Sequence, residues 1–575
     1  MITSNQVPNG FGWSWFMTFL VFFLAGSDRI PGVNESHYWA KAMHAWNPTW
    51  GGPDFFLSSP DTHWLFYRSV GAFTLLPLSQ ESTLWIARGL QWGFQALAWS
   101  WMLRPITGSP WWIAGTAAAF LSWVRFFHLS GEWVAGGVEA KGFAYAWVWL
   151  SLGCALRQRW SGSLWSGGIA TAFHVLVGGW YLILLAGSIG LSLVRSGAWK
   201  RISLRWREVP ALPVAGVLGG AVLGIGASLV GLLPALLQDR ASSLEDRWMA
   251  PWIYVYDRLP HHLAPTQFTP DRWAIHLIGL ALSWGIWRFA NRCTKAHSPI
   301  SRVAGWLAGM TLMAHLLTVT AYLIDLLTNG RLELLAAQWL RFYWCRWEDI
   351  APGLLLAVSL GRLGSLDSTW LGSKDPVSML PRQSLKKEPS ELHSAAFRLL
   401  LLALSLMGWI PLVLRLSDPL RDRVAPADRM LLQQPATPDT ASLDMAQWRA
   451  VCLWAKEHTS PDSLWITPRY QSTFLWYAGR GEYVNQKNIP QDAGGLVEWQ
   501  KRMASIYGPS PRGGRGQVSQ LSWSEAEAWG VDFILLDRRD NDDLPLWPLA
   551  YPLEPHRNER FMVFRISRGP RSQVQ

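Results

Sequence analysis

The chain has 575 residues, of which 50% are hydrophobic and only 16% are charged, with a mean hydropathy of +0.09. This composition is too apolar for an ordinary soluble protein and too polar for a chain that lies wholly in lipid, so it predicts a multi-span membrane protein with a soluble part. The net charge of +11 comes without a long basic stripe or a nucleic-acid motif, so membrane lipid, and not nucleic acid, is the expected partner.

Apolar stretches that can cross, or nearly cross, a hydrocarbon core of ~30 Å recur along residues 1–416. They cover residues 11–26, 82–103, 110–128, 142–156, 211–235, 274–290, 303–327, 350–361 and 396–414. Residues 163–194 form a further apolar stretch, but His174 and the Gly178-Gly179 pair at its centre predict two short helices. We therefore expect a mainly α fold: a polytopic transmembrane bundle of about 10–12 spans, with a first outer loop at 27–63.

The distribution of lysines predicts the orientation of these spans. Of the seven lysines before residue 416, five fall in loops that alternation of the spans places on one side, which the positive-inside rule makes cytoplasmic. The first outer loop and the loop at residues 129–141, which also contains acidic residues, then share the opposite face. This pattern predicts an integral multi-pass protein of the plasma membrane (the bacterial inner membrane).

The composition changes after the last apolar stretch. Residues 417–440 read as a linker, and residues 441–575 read as a soluble α/β domain on the extracytoplasmic side. Its predicted strands are SLWIT (463–467), GEYVN (481–485), VDFILLD (531–537) and FMVFRI (561–566), and its predicted helices are MAQWRAVCLWAKEH and LVEWQKRMASIY.

Glu35 and Glu139 are the candidate catalytic acids. Glu35 follows the first span, and Glu139 lies in the glycine-rich loop GEWVAGGVEAKG. Two carboxylates at one membrane face can serve as a base and a metal ligand, or as a base and an anchor for a sugar hydroxyl. The alternative is that Glu35 is a solvated loop residue and that Glu139 pairs with Lys141.

Histidines and aspartates are crowded in the first outer loop, which raises the question of a metal. These residues are His37, His44, Asp54, Asp61 and His63. No HExxH or comparable spacing is present, so no protein metal site is predicted. A divalent cation, magnesium or manganese, remains an open alternative.

Arginines form a second group on the predicted outer face. Arg341 and Arg346 lie in QWLRFYWCRWEDI, and guanidinium forks match phosphate oxygens in pairs. Arg240, Arg247 and Arg258 are expected to extend the same phosphate-binding rim. The alternative is that these arginines merely form surface ion pairs with neighbouring acids.

The segment TPRYQSTFLWYAGRGEYVNQKNIPQD in the C-terminal domain is dense in polar and aromatic side chains. We expect five of its residues to face the cavity and bind an acceptor: Arg469, Gln471, Trp476, Arg480 and Lys487. The alternative is that they belong to the folded core of the domain.

This layout of acidic outer loops, broken middle spans, an arginine before a late span and a C-terminal outer domain resembles the GT-C superfamily. Its members are integral-membrane glycosyltransferases that use polyprenyl-phosphate-linked sugars. Stretches such as VNESHYWAKAMHAWNP, GGVEAKGFAYAW and QWLRFYWCRW are also similar to a bacterial multi-span family of the same layout, to which we attach no activity.

The resemblance to the GT-C superfamily implies a role for three residues. Glu35 would be the general base on the acceptor hydroxyl, Glu139 would be the second-loop acid, and Arg341 would hold the donor phosphate. The chain differs in having a single acid after Asn34 where many members carry an acidic pair, and in lacking a DxD motif.

The implied reaction is transfer of a sugar from a polyprenyl-phosphate donor to a glycan, lipid or protein acceptor on the extracytoplasmic face. A single displacement would invert the anomeric carbon. Two other classes remain open: a transporter or flippase of an amphipathic lipid-linked substrate, and a non-catalytic membrane scaffold.

Overall fold

A computed structural model describes residues 10–195, 211–294, 299–370, 409–410, 413–414, 416–418, 420–432, 437–508, 521–541 and 545–566. Up to residue 370 the described chain is helical. In chain order its α-helices are α1 (Phe11–Gly26), α2 (Glu35–Trp46), α3 (Trp64–Ser69), α4 (Gln80–Leu103), α5 (Pro110–Phe126), α6 (Ala140–Leu156), α7 (Trp160–Phe173), α8 (Val175–Arg195), α9 (Ala211–Leu237), α10 (Leu244–Trp252), α11 (Pro260–Leu263), α12 (Pro270–Cys293), α13 (Pro299–Thr328), α14 (Glu333–Leu340) and α15 (Ala351–Trp370).

Shorter helical turns complete this part of the chain. Val70–Leu75, Pro265–Gln267 and the later Pro426–Leu431 are 3₁₀ helices, and Ile253–Arg258 is a turn of π-helix.

The predicted apolar stretches that lie among the described residues coincide with helices, and the mainly helical fold is confirmed. Three described helical segments are long and apolar enough to cross a membrane, namely Val175–Val194, Gly216–Leu237 and Ile300–Thr328, while Phe11–Gly26 and Ala351–Leu366 are shorter apolar helices. The count of 10–12 spans stays a prediction, as does the side of the membrane that each loop faces. Most of the predicted span at 396–414 lies outside the described residues.

Tryptophan builds much of the helical core. Trp92, Trp99, Trp123, Trp149 and Trp347 are almost completely buried in one cluster. Burying a large apolar side chain contributes roughly 1.5–3 kcal/mol, provided that the indole N–H finds an acceptor. Trp123 Nε1 donates to the carbonyl oxygen of Asp349 at 2.9 Å, and Trp347 Nε1 donates to that of Val177 at 3.2 Å.

The predicted break in the 163–194 hairpin is confirmed at His174, whose backbone is extended between α7 and α8. Helix α9 then packs closely against α7. A Cβ on Gly224 would lie 2.5 Å from the carbonyl oxygen of Leu164, so only glycine allows this approach, as is common between membrane helices.

The C-terminal part combines helices with one small mixed sheet. Its helices are α16 (Pro438–His458), α17 (Phe474–Ala478), α18 (Ala493–Tyr507) and α19 (Trp523–Ala528), and its strands are β1 (Leu464–Ile466), β2 (Gly481–Glu482), β3 (Phe533–Asp537), β4 (Leu549–Tyr551) and β5 (Phe561–Arg565). The strand order is β2-β1-β3-β5-β4. Strands β1, β2 and β3 are parallel to one another, whereas β5 is antiparallel to β3 and β4.

All four predicted strands and both predicted helices of this part are present, and β4 is an additional strand. The first outer loop packs against its sheet: the Asp54 carboxylate accepts the Glu482 backbone N–H at 2.9 Å, and Phe55 N donates to the Glu482 carbonyl at 3.2 Å. The loop and the C-terminal sheet therefore form a shared wall.

Candidate functional site

A cavity of about 770 Å³ lies where the first outer loop, the α7–α8 break, the ends of α9 and α10, and the turn after β2 meet. Pockets of this volume are large enough for a drug-sized or lipid-headgroup ligand. The first lining residue in the sequence is Asn34 and the last is Leu496, so the fold brings together side chains that are far apart in sequence.

The lining of this cavity is strongly basic. Its eight cationic residues are Lys41, Lys141, Arg240, Arg247, Arg258, Arg341, Arg346 and Lys487, against three acids, Glu132, Glu139 and Asp239. All five arginines predicted to bind phosphate are in this set. Apolar residues also line the cavity, among them Val175, Leu176, Leu232, Ala235 and Leu236.

Four buried charged residues of the cavity lining form a continuous series of ion pairs. Arg346 Nε lies 3.0 Å from Glu132 Oε2, and Lys141 Nζ lies 3.4 Å from Glu132 Oε1 and 3.6 Å from Glu139 Oε2. The two glutamates thus neutralise Arg346 and Lys141 in part. The expected alternative pairing of Glu139 with Lys141 is present, and Glu139 also lines the cavity.

Glu139 precedes α6 and is held in place by two neutral donors. Trp133 Nε1 donates to Oε1 at 3.1 Å, and Asn34 Nδ2 donates to Oε2 at 3.2 Å. Its side chain is 5% exposed. A carboxylate with a fixed orientation and restricted access to water can take a proton from a bound hydroxyl.

Arg346 is anchored on three sides. Besides Glu132, it has Nη1 at 3.3 Å from His174 Nε2, and its guanidinium carbon lies 4.2 Å from the centre of the Tyr343 ring. Burial alone would lower the pKa of Arg346, but the Glu132 carboxylate together with the side chains of Tyr145, Tyr343 and Tyr254 more than offsets this and raises it. Arg346 is therefore a permanent cation of the cavity.

Tyr343 adopts a left-handed backbone conformation with φ of 56°. This conformation costs a bulky L-residue roughly 1–2 kcal/mol, and such strain clusters at functional sites. The Tyr343 hydroxyl lies 3.1 Å from that of Tyr254, and both residues line the cavity.

Arg240, Arg247 and Arg341 gather at the junction of α9 and α10. Arg247 Nη2 donates to the carbonyl oxygen of Asp239 at 2.6 Å. Burial lowers the pKa of Arg341, and the Asp239 charge opposes this shift. The buried Nε of Arg341 has no hydrogen-bond partner in the described structure, so this junction retains capacity to bind an anion.

Glu35 lies next to the cavity but does not line it. Its side chain is 0% exposed and forms a two-point ion pair with Arg88 of α4, with Arg88 Nε at 2.7 Å from Oε1 and Nη2 at 2.5 Å from Oε2. The backbone N–H groups of Gly32 and Val138 donate to the two oxygens at 2.6 and 2.7 Å. All four acceptor positions of the carboxylate are thus occupied.

This environment is that of a structural ion pair. The alternative of a solvated loop residue does not hold. Glu35 is adjacent to Asn34, and its backbone donor Val138 is adjacent to Glu139. Glu35 therefore holds both partners of the Glu139–Asn34 hydrogen bond in place.

Of the five residues expected to bind an acceptor, Lys487 lines the cavity and the other four, Arg469, Gln471, Trp476 and Arg480, do not. Gln471 Nε2 donates to Thr467 Oγ1 at 2.7 Å and to Glu482 Oε1 at 2.5 Å. Arg480 Nη2 donates to the carbonyl oxygens of Lys456 and Thr459. The alternative of folded-core residues describes these two side chains.

The other two are also part of the interior. Trp476 is 7% exposed and packs in the cluster that contains Trp39 of α2. The Arg469 guanidinium carbon lies 5.6 Å from the Tyr470 ring centre and 5.9 Å from that of Tyr507. The polar density of this segment reflects internal bonds of the domain.

The structure gives no support for a metal site in the first outer loop. Among the described residues, no group of three or more His, Cys, Asp or Glu side chains could hold an ion. Burial lowers the pKa of His37 to about 3 and that of His63 to about 4, so both imidazoles are neutral at pH 7. His44 is bonded to the Trp50 carbonyl at 3.0 Å.

Sequence reasoning missed Glu132 and Tyr343 as parts of the assigned site. Glu132 could have been noticed, because it lies in the same glycine-rich loop as Glu139. The left-handed backbone of Tyr343 has no sequence signal, since tyrosine rarely adopts it.

Comparison with known proteins gives limited information. Residues 446–506 match the model of a domain of unknown function (DUF6798). No curated protein matches the sequence. The crystal structure of ArnT from Cupriavidus metallidurans in the apo state is similar over 97% of this chain and 99% of that chain, with 14% sequence identity and a TM-score of 0.33. The function is therefore inferred from the cavity itself.

Proposed function

We propose that the protein is a membrane-embedded glycosyltransferase that moves a sugar from a polyprenyl-phosphate donor to an acceptor. The observation that carries the proposal is the cavity, whose lining combines basic side chains and buried carboxylates with apolar side chains. A phosphate joined to a sugar on one side and to a hydrocarbon tail on the other needs both kinds of lining. In this proposal the cavity opens to the extracytoplasmic face.

The donor phosphate would bind to Arg341, Arg247 and Arg240 at the α9–α10 junction. The buried Nε of Arg341 has no hydrogen-bond partner in the described structure, which supports this assignment. Guanidinium–phosphate bonds are short and charge-assisted. The prenyl tail would lie along the apolar ends of α8 and α9, between Leu176 and Leu236. Arg346 would complete the positive field around the leaving phosphate.

Glu139 is the residue we assign as general base. It would take the proton of an acceptor hydroxyl, and the oxygen would attack the anomeric carbon of the donor. The bond from that carbon to the phosphate oxygen would break, and the polyprenyl phosphate would leave with the electron pair. This single displacement inverts the anomeric centre. Glu35 is reassigned from base to positioning residue for Glu139.

No step is assigned to a divalent cation. The described residues offer no cluster that would hold one, and Arg346, Arg341 and Arg247 can supply the charge that stabilises a leaving phosphate.

The test is donor turnover by the full-length protein, purified in detergent and mixed with a panel of polyprenyl-phosphate sugars and acceptor glycans. With Glu139→Gln, turnover should fall about 100-fold or more, which is the range for loss of a general base. The matched control is Glu245→Gln, because Glu245 is exposed on α10. Unchanged turnover by Glu139→Gln would remove Glu139 as base.

A parallel experiment separates transfer from transport. Vesicles that contain the protein should show no movement of labelled polyprenyl phosphate between leaflets beyond that of empty vesicles. Movement of the lipid without any turnover would contradict the enzyme and favour a flippase. Binding of the lipid with neither activity would favour a scaffold.

A further inference from the structure

Lys487 is a basic residue of the cavity that comes from the C-terminal domain. It lies in the turn between β2 and α18, and the Asn485 side chain fixes this turn by accepting the Lys487 backbone N–H at 2.8 Å and that of Asn488 at 3.1 Å. The turn is therefore rigid where it presents Lys487 to the cavity.

The same turn is also pinned to the membrane part on both sides of Lys487. The carbonyl oxygen of Gln486 accepts from Arg258 Nε at 3.1 Å, and Asn488 Oδ1 lies 3.3 Å from His37 Nδ1. Arg258 belongs to the π-helical turn before α11, and His37 belongs to α2. Lys487 is thus brought next to Arg258 by contacts that do not involve its own side chain.

The charges around Lys487 do not balance. Burial, followed by the charge of Arg258, lowers the pKa of Lys487 to about 8, and the Glu139 carboxylate opposes the shift. Burial also lowers the pKa of Arg258. Glu139 and its neighbour Glu132 are already shared with Lys141 and Arg346.

Four cations therefore line this part of the cavity against two lining carboxylates, and the Asp257 carboxylate beside Arg258 still leaves the cations in excess. Surplus positive charge that is surrounded by protein is costly, because desolvation of each ion must be offset by an opposite charge. An anionic group of a ligand would supply that charge. This group is different from the donor phosphate, whose arginines lie at the α9–α10 junction around Asp239.

We propose that Lys487 and Arg258 form a second anion subsite, which binds a phosphate or carboxylate group of the acceptor. The assignment to the acceptor rests on the proposed function, since Lys487 lines the same cavity as Glu139, the base that would deprotonate the acceptor hydroxyl. The C-terminal domain then selects the acceptor through this one turn. The substrate class is an anionic acceptor with a free hydroxyl close to its charged group.

The experiment uses sulfate as the probe, because its charge is constant between pH 6 and pH 9. The full-length protein in nanodiscs is first saturated with polyprenyl phosphate, and sulfate is then titrated by calorimetry. We expect one sulfate to bind per protein while the lipid stays bound. Displacement of the lipid by sulfate, or no sulfate binding at all, would overturn the second subsite.

Three variants assign the subsite to Lys487. Lys487→Met keeps the length of the side chain but removes its charge, and should weaken sulfate binding by ~10-fold or more, as expected for loss of a charge-assisted bond. Lys487→Arg should stay within about threefold of the natural protein. Lys501→Met is the control, because Lys501 is exposed on α18. Equal binding by the natural protein and Lys487→Met would overturn the assignment.

The pH dependence tests the same residue without depending on the Lys487→Met variant. Lys487 loses its proton as the pH rises through about 8, so sulfate affinity should fall between pH 7 and pH 9 in the natural protein and stay constant in Lys487→Arg. A flat profile in both proteins would contradict the proposal. These measurements need no glycosyl transfer, so absence of turnover would refute the proposed function and leave the anion subsite standing.

If transfer is observed, kinetics decide which substrate carries the anionic group. Lys487→Met should raise KM for the acceptor at least about tenfold and leave KM for the donor unchanged. A rise in donor KM alone would move the anionic group to the donor sugar and overturn the acceptor assignment.

Discussion

Replacement of Glu35 should lower the stability of the folded protein. Its effect on catalysis should be indirect, through the displacement of Glu139. Glu35 and Arg88 are both 0% exposed and are joined at two points, and loss of one partner leaves a buried charge without compensation. Removal of one member of such a pair costs ~3–5 kcal/mol. Each orphaned backbone N–H, on Gly32 and Val138, adds roughly 1–3 kcal/mol.

We therefore expect Glu35→Leu to lower the free energy of unfolding by at least ~3 kcal/mol. The double variant Glu35→Leu with Arg88→Met should be less destabilised than the sum of the two single variants, because it leaves no unpaired ion. Equilibrium unfolding in mixed detergent micelles, followed by the fluorescence of the 40 tryptophans, measures both.

The conservative variant Glu35→Gln separates positioning from catalysis. It should lower the unfolding midpoint and the rate of transfer together, because Asn34 and Glu139 are displaced with it. If Glu35→Gln unfolds like the natural protein and yet has no turnover, Glu35 is the base and our reassignment is refuted.

Two further predictions concern packing and pH. Gly224→Leu should lower the thermal unfolding midpoint, because overpacking costs on the order of 1–3 kcal/mol. Gly226→Leu is the control and should leave the midpoint unchanged, because a Cβ at Gly226 meets no atom within 4 Å. Equal midpoints for the two variants would refute the close approach of α7 and α9. Burial raises the pKa of Glu482 from 4.5 to about 7 in the folded protein. Folding therefore takes up a proton between these values, and the free energy of unfolding should fall by on the order of 3 kcal/mol as the pH rises from about 4.5 to about 7. Thermal unfolding across this range should show a weaker decline for Glu482→Gln, and parallel curves would contradict the raised pKa.

The helices could be predicted from sequence because their signal is local. Each apolar run predicted a helix, and His174 with the following glycines predicted the break between α7 and α8. The strands of the C-terminal part were equally visible in short β-rich runs. The number of membrane spans is harder to predict from sequence, because helices such as α4 carry a buried ion pair and many polar groups that lower their hydropathy.

The candidate site was predictable in part. The five arginines predicted to bind phosphate line one cavity together with Glu139, while their binding of phosphate and their side of the membrane stay predictions. The buried ion pair of Glu35 could not be predicted from sequence, because its partner Arg88 lies 53 residues away on α4 and no local pattern joins the two. Arg469, Gln471, Trp476 and Arg480 were assigned to the cavity because polar density alone does not distinguish a binding surface from a hydrogen-bonded interior.

Binding of a lipid phosphate in the cavity is the central claim, and a density map of the protein in nanodiscs with added polyprenyl phosphate tests it most directly. We predict that the phosphate lies within hydrogen-bond distance of Arg341 and Arg247, with the tail along Leu176 and Leu236. Density for the phosphate outside the cavity, with these arginines in contact only with protein, would contradict the account.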